Sequence, residues 1–193
     1  MRGIAVALLA TSVMFGVAPP KARAEQAIAQ ANTPPAVVAS TSTAPENWLE
    51  LHNTHTNETL KVTFRNEQGF IPEALEKLDT ILGDHRSHEH RKMDPELFVL
   101  LVDLAASAGA PPSYEIISAF RSSGTNETLR TNGGGQAKNS QHIQGKAIDV
   151  RLKGVTTEKL RDLALALKRG GVGYYRKSDF VHVDTARVRY WEG

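Results

Sequence analysis

The chain has 193 residues, 40% hydrophobic and 23% charged, which fits one globular domain with one core and argues against both a disordered chain and a membrane bundle. Its 23 basic and 21 acidic side chains leave a net charge of +2, too little for the positive field of a dedicated nucleic-acid binder, so nucleic acid is not an expected partner. With no cysteine, neither a disulfide nor a lipid-modified N-terminal cysteine is available, and the fold must hold without covalent staples.

Residues 1–24 read as an export signal: Arg2 supplies charge, Ile4 to Val17 form an apolar run, and Ala22-Arg23-Ala24 offers a small-x-small cleavage site. That run is shorter than the ~20 residues of a spanning helix, so an exported, periplasmic protein with no stable membrane span after cleavage is expected. Residues 25–45, rich in Ala, Thr, Ser, Gln and Pro without periodicity, read as a flexible linker, and 46–193 as the folded domain. Two β-like runs, Trp48 to His52 and Glu58 to Phe64, flank a polar turn and predict a hairpin. Pro72, with Ile71, Leu75, Leu78 and Leu82 at helical spacing and Gly83 as a stop, predicts a short amphipathic helix. A stronger one follows, capped by Asp94, opened by Pro95, with Leu97, Leu100, Leu101, Leu104 and Ala105 on one face and Gly109 at its end.

Tyr114 to Phe120 reads as a buried strand leading into a polar, glycine-rich stretch, Ser122 to Asn139, taken as a long functional loop. Ala147 to Leu152 predicts a strand. Thr156 or Thr157 caps a helix carrying Leu160, Leu163, Ala164 and Leu167 and closed by Gly170-Gly171. Phe180 to Asp184 is a further strand, with Arg187 to Trp191 a candidate for another. Without regular strand-helix alternation, this order predicts an α+β domain: a mostly antiparallel sheet with flanking helices.

Three potential ligands stand out: His142 and Asp149 in SQHIQGKAID, and His182 in DFVHVD. Two imidazoles and a carboxylate suit Zn2+, which in catalytic sites commonly takes three protein ligands and leaves a fourth position for water, whose pKa it lowers toward about 7. Strand alternation sends Ile148, Val150 and Leu152 to one face and Asp149 to the other, and likewise separates Val181 and Val183 from His182, so neighbouring strands can present Asp149 and His182 to one ion. Taken alone, each histidine is more often structural or superficial than a ligand, and Asp149 equally fits a salt bridge.

Over Trp48 to Glu192, in the hairpin, SAFRS, NSQHIQGKAIDVRL and DFVHVD, the chain resembles the zinc D-alanyl-D-alanine peptidase family. The likeness is greatest to its murein endopeptidase K-like branch, which shares a metal-site type with lysostaphin-type enzymes and hedgehog domains. The resemblance implies that Ser140, His142, Asp149 and His182 match the family's Ser-x-His-x6-Asp segment and later histidine, with both histidines and Asp149 holding zinc. It implies that Asp179, three positions before the last ligand, is the general base, which requires it to sit in the turn entering the strand. It further implies that Arg121 holds substrate or the developing oxyanion, the alternative being a surface arginine in an ion pair. Asp184 is read either as orienting a ligand imidazole or as a sheet-edge charge.

The expected function is therefore a zinc metallopeptidase cutting peptidoglycan peptide stems as an endopeptidase. Carboxypeptidase trimming of a terminal D-alanine and a non-catalytic wall-binding module are the alternatives. His85, His88 and His90, and likewise His52 and His55, lack the His-Glu-x-x-His spacing of common zinc peptidases and are read as solvated loop residues. Gly133-Gly134-Gly135 has no following Lys-Ser/Thr and is read as a mobile segment beside the cleft, not a phosphate loop.

Overall fold

Alternation of apolar and polar residues decides which side of each strand joins the core, and through it where the polar ligand candidates emerge. A computed structural model describes residues 46–133 and 135–193; the expected export signal (1–24) and linker (25–45) lie outside the described residues. Among the described residues the strands are β1 (Asn47–Asn53), β2 (Thr59–Asn66), β3 (Gly69–Phe70), β4 (Ser113–Ser118), β5 (Ala147–Leu152), β6 (Gly171–Tyr175), β7 (Phe180–Asp184) and β8 (Arg189–Glu192). The helices are α1 (Pro72–Ile81), α2 (Pro95–Ala108), α3 (Ser123–Thr131) and α4 (Thr157–Leu167). The class is α+β. The strands form one sheet in the order β3-β2-β1-β4-β5-β7-β6-β8.

The sheet is mixed, which corrects the expected mostly antiparallel one: β1 runs parallel to β4, and β6 parallel to β8. β1 meets β4 after the chain has left the sheet through α1 and α2, whereas β8 reaches β6 over a short connection that steps past β7, and turn signals in a sequence report neither placement. β6 was hidden because its first residue, Gly171, reads together with Gly170 as the end of the preceding helix. That helix, α4, ends instead on Lys168 in the left-handed region at φ 52. α3 occupies the first half of the stretch read as a loop. Ser122 caps it by accepting from Thr125 N at 3.2 Å, and because its buried residues are the polar Thr125 and Asn126, no apolar stripe announces it.

Leu49 and Leu51 of β1, Phe64 of β2, Tyr114 and Ile116 of β4, Ile148 and Val150 of β5, and Val181 and Val183 of β7 join one core with Leu97, Leu101 and Leu104 of α2 and Leu160 of α4. The Tyr114 hydroxyl donates to Leu101 O at 2.6 Å, so the largest fully buried side chain leaves no polar atom unpaired. Because these apolar residues take alternate positions, Asp149 and His182 must leave β5 and β7 on the opposite face. Asp94 caps α2 by accepting from Glu96 N at 3.1 Å, and its other oxygen accepts from Thr185 Oγ1 at 2.7 Å. The helix start is thereby tied to the chain just beyond β7.

The turn that carries His142 docks on the same place. Gly145, at φ 69, gives its carbonyl to Asp94 N at 2.8 Å, and a Cβ at this position would stand 2.6 Å from Lys92 O. Gly145→Ala is therefore expected to cost more than about 1 kcal/mol and to displace the turn; a denaturant midpoint unchanged from the wild type would contradict this.

Candidate metal centre

Register brings the ligand candidates together: Asp149 lies directly opposite His182 in the antiparallel β5–β7 pair, and the turn before β5 supplies His142. His182 Nδ1 stands 2.8 Å from Asp149 Oδ1, His142 Nε2 is 3.1 Å from His182 Nδ1, and His142 Nε2 is 3.3 Å from Asp149 Oδ1. All three residues are buried, and among the described residues this is the one group of three or more such side chains whose ligand atoms meet. Ligands ~2.0–2.1 Å from a tetrahedral ion stand ~3.3 Å apart, so the triangle already has nearly the right edge lengths.

The remaining ring nitrogens settle which atoms face inward. His142 Nδ1 lies 2.6 Å from Ala119 O, and His182 Nε2 lies 3.0 Å from Asp184 Oδ2; both partners only accept, so both nitrogens carry protons. With neutral rings, His142 Nε2, His182 Nδ1 and Asp149 Oδ1 are three acceptors pointed at one another in a buried site. Such an arrangement needs a cation or an added proton between them, and the donor set fits a divalent zinc-type ion. The same tension appears in the acidities. Burial works against the ionised form of Asp149, yet His142 and His182 hold it well below the usual carboxylate range. Burial would also lower His182, but its hydrogen bonds to Asp149 and Asp184 raise it above its ordinary value.

The cluster lies on a cleft of about 380 Å³. One wall is aromatic, with Tyr175 and Phe180 stacked at 4.5 Å and Trp191 Nε1 donating to the Tyr175 hydroxyl at 3.0 Å. The other is the segment that includes Gly135, Gln136 and Asn139 to Gln141. Asn126 of α3 anchors that segment by donating to Ala137 O at 3.1 Å.

Ser140 lines the cleft and accepts from His142 N at 3.3 Å, shaping the turn that presents the ring. Arg121 also lines it. This side chain is 8% exposed and bonded at 3.3 Å to Asn126 Oδ1 and to Ser118 Oγ; among the described residues its buried Nε has no partner and it makes no ion pair with a carboxylate. It is therefore not a surface arginine in a salt bridge but a buried cation held by neutral groups. Burial lowers its pKa, partly offset by Asp149. Asp184 is wholly buried behind His182, where burial is outweighed by His182 and Arg189, which hold its carboxyl well below the usual range.

Asp179 is not brought into the cleft. It sits in the turn entering β7, in the left-handed region at φ 51, but its carboxylate accepts from Thr157 Oγ1 at 2.7 Å and lies 3.5 Å from Arg151 Nε. Together with Glu115, Arg151 and Thr157 it lines a separate groove. His55 and His85 stack at 3.9 Å away from the cluster. Tyr175, Trp191 and Arg189 were missed by sequence reasoning; the alternation Gly171-x-Gly173, which leaves room on one face of β6, was the available signal.

For the protein stripped of metal, the acidities have opposite consequences. Asp149 and Asp184, depressed from 3.8, contribute stability above that value and lose it as pH falls; His182, raised from 6.5, contributes fully below 6.5 and loses it as pH rises through its folded value. Denaturant midpoints of stripped protein are thus expected to be highest between about pH 4 and pH 6.5. Midpoints that keep rising above that window would contradict the assignment.

A family model described as peptidoglycan L,D-endopeptidase MepK matches residues 41–191. A protein of Haemophilus influenzae named probable peptidoglycan L,D-endopeptidase MepK is 42% identical over 161 residues, 83% of this chain and 87% of the relative. Peptidoglycan L,D-endopeptidase MepK of Escherichia coli K12 and that of Shigella flexneri are each 38% identical over 165 residues, 86% of this chain and 91% of the relative. No solved structure matches the chain.

Proposed function

Because this chain belongs to the peptidoglycan L,D-endopeptidase MepK family, and is thus a metallopeptidase acting on peptidoglycan, we propose that it opens L,D crosslinks of the wall with a zinc ion held by His142, Asp149 and His182. The family agrees with the murein endopeptidase K-like resemblance carried by SQHIQGKAID and DFVHVD. The observation that carries the ligand set is the triangle of facing lone pairs, with both outward ring nitrogens already committed to Ala119 O and Asp184. A bound zinc ion supplies Lewis-acid activation of water and polarisation of the scissile carbonyl. The name endopeptidase borne by the relatives favours scission within a crosslink over release of a terminal D-alanine.

Arg121, which lines the cleft and has no carboxylate partner among the described residues, holds the carbonyl oxygen as charge develops on it. A cleft with such a cation and an aromatic wall has more than a structural zinc site needs, which favours an enzyme over a non-catalytic wall-binding module. Asp179 is assigned as proton acceptor. To serve the cleft its carboxylate must turn away from Thr157 and Arg151; its neighbour in the chain, Phe180, lines the cleft. A peptidoglycan substrate lies outside the cytoplasm, which supports the reading of residues 1–24 as an export signal. Among the described residues no helix is long and apolar enough to cross a membrane.

Digestion of purified sacculi, followed by separation of the fragments, is expected to show loss of L,D-crosslinked dimers that a chelator prevents and zinc restores. Unchanged dimers with zinc-loaded protein would remove the proposal. His142→Ala and His182→Ala are each expected to lose most bound zinc, as read by metal analysis. Asp179→Asn should keep zinc while hydrolysis falls by about 10²-fold or more; full activity with a lowered melting temperature would make Asp179 a strut for Thr157 instead.

A further inference from the structure

β8 lays two side chains across β6 onto the metal cluster. Arg189 grips Asp184 with both terminal nitrogens, Nη1 to Oδ1 at 3.0 Å and Nη2 to Oδ2 at 2.6 Å. The same Oδ2 accepts from His182 Nε2 at 3.0 Å, while Oδ1 also accepts from Gly171 N at 3.0 Å and Ala186 N at 2.9 Å. The guanidinium in turn lies over the Trp191 ring at 5.0 Å, and that ring is 5.0 Å from the His182 ring.

Space for this arrangement is built into β6. A Cβ on Gly171 would fall 2.5 Å from Asp184 Oδ2 and overlap the Arg189 guanidinium, and one on Gly173 would fall 2.6 Å from the Trp191 ring. Register sets Arg189 beside Gly171 and Trp191 beside Gly173, so the two empty positions are filled by the two β8 side chains. A fork of two parallel N–H···O bonds fixes the carboxylate plane as well as its position, which backbone donors to a single oxygen do not.

We infer that Arg189 is a positioning residue for the metal centre: by locking Asp184 it keeps the His182 proton on Nε2 and turns the Nδ1 lone pair toward Asp149 and His142. The inference rests on the ligand set proposed above. Without the fork, Oδ1 stays held by Gly171 N and Ala186 N but Oδ2 loses its Arg189 donor, so the carboxylate plane is less firmly set and His182 is less strictly confined to one ring orientation. Sequence gives Arg189 no motif; its role follows from its register on β8 and the glycine it faces.

The wild type carries the first test. In zinc-loaded protein, 15N NMR of the imidazoles should show His182 protonated at Nε2, with Nδ1 as the ligand nitrogen; the opposite assignment overturns the inference. In Arg189→Met, zinc affinity measured by competition with a chromogenic chelator is expected to fall about 10- to 100-fold, and the His182 ring signals should lose their single-tautomer pattern. Arg189→Lys, which keeps charge but not the fork, should recover only part of the affinity. Equal zinc affinity and an unchanged tautomer in Arg189→Met, with only a lower melting temperature, would make Arg189 a plain strand anchor and overturn the inference. Wild-type protein that binds no zinc would instead defeat the ligand set itself, so the two failures are told apart.

Discussion

Three lone pairs aimed at one point in a buried site are the constraint around which the rest is arranged. No buried protein site tolerates two bare imidazole nitrogens and a carboxylate oxygen within about 3.3 Å of each other without positive charge between them. The surrounding structure makes the constraint sharper rather than relieving it. Ala119 O and Asp184 take up the protons the rings could otherwise turn inward, and the β5–β7 register leaves Asp149 no route away from His182. Burial that would be costly for a structural salt bridge becomes useful when an ion supplies the missing charge.

Around this centre the cleft divides its labour by chemistry. Cationic Arg121 is held by neutral partners, so its charge is not spent inside the protein. Arg189 is the opposite case: its charge is fully engaged by Asp184, and its contribution is geometric. The two arginines show why the same residue type in one cleft need not share a role. The aromatic wall of Tyr175, Phe180 and Trp191 restricts water without adding charge, which strengthens every electrostatic contact the floor of the cleft makes.

Much of this was legible in the chain. The caps at Asp94 and Gly109, the hairpin, and the alternation around Asp149 and His182 are local signals, and the structure follows them closely. What escaped reading depends on distant partners. α3 buries polar Thr125 and Asn126 against the cleft, so it lacks a stripe. β6 looks like a helix stop because it opens on Gly171, a glycine that answers to Arg189, a residue that comes later in the chain. The parallel β1–β4 pairing depends on where a long connection returns, and the β6–β8 pairing on the last strand stepping past β7 to the far edge of β6. Asp179 is the instructive case: position relative to His182 names it, yet the turn that holds it at φ 51 sends its carboxylate to Thr157, an orientation no spacing rule conveys.

The pairing of β5 with β7 also has a bearing on when the molecule becomes dangerous. Asp149 and His182 are 33 residues apart, and His142 and His182 are 40 apart, with α4 and β6 intervening before the last ligand joins its neighbours in the middle of the sheet. In a nascent or partly assembled chain the proposed ligands are therefore scattered, because closing those loops is the same event as completing the central strands. With that ligand set, the capacity to hold the ion is withheld until the fold is finished.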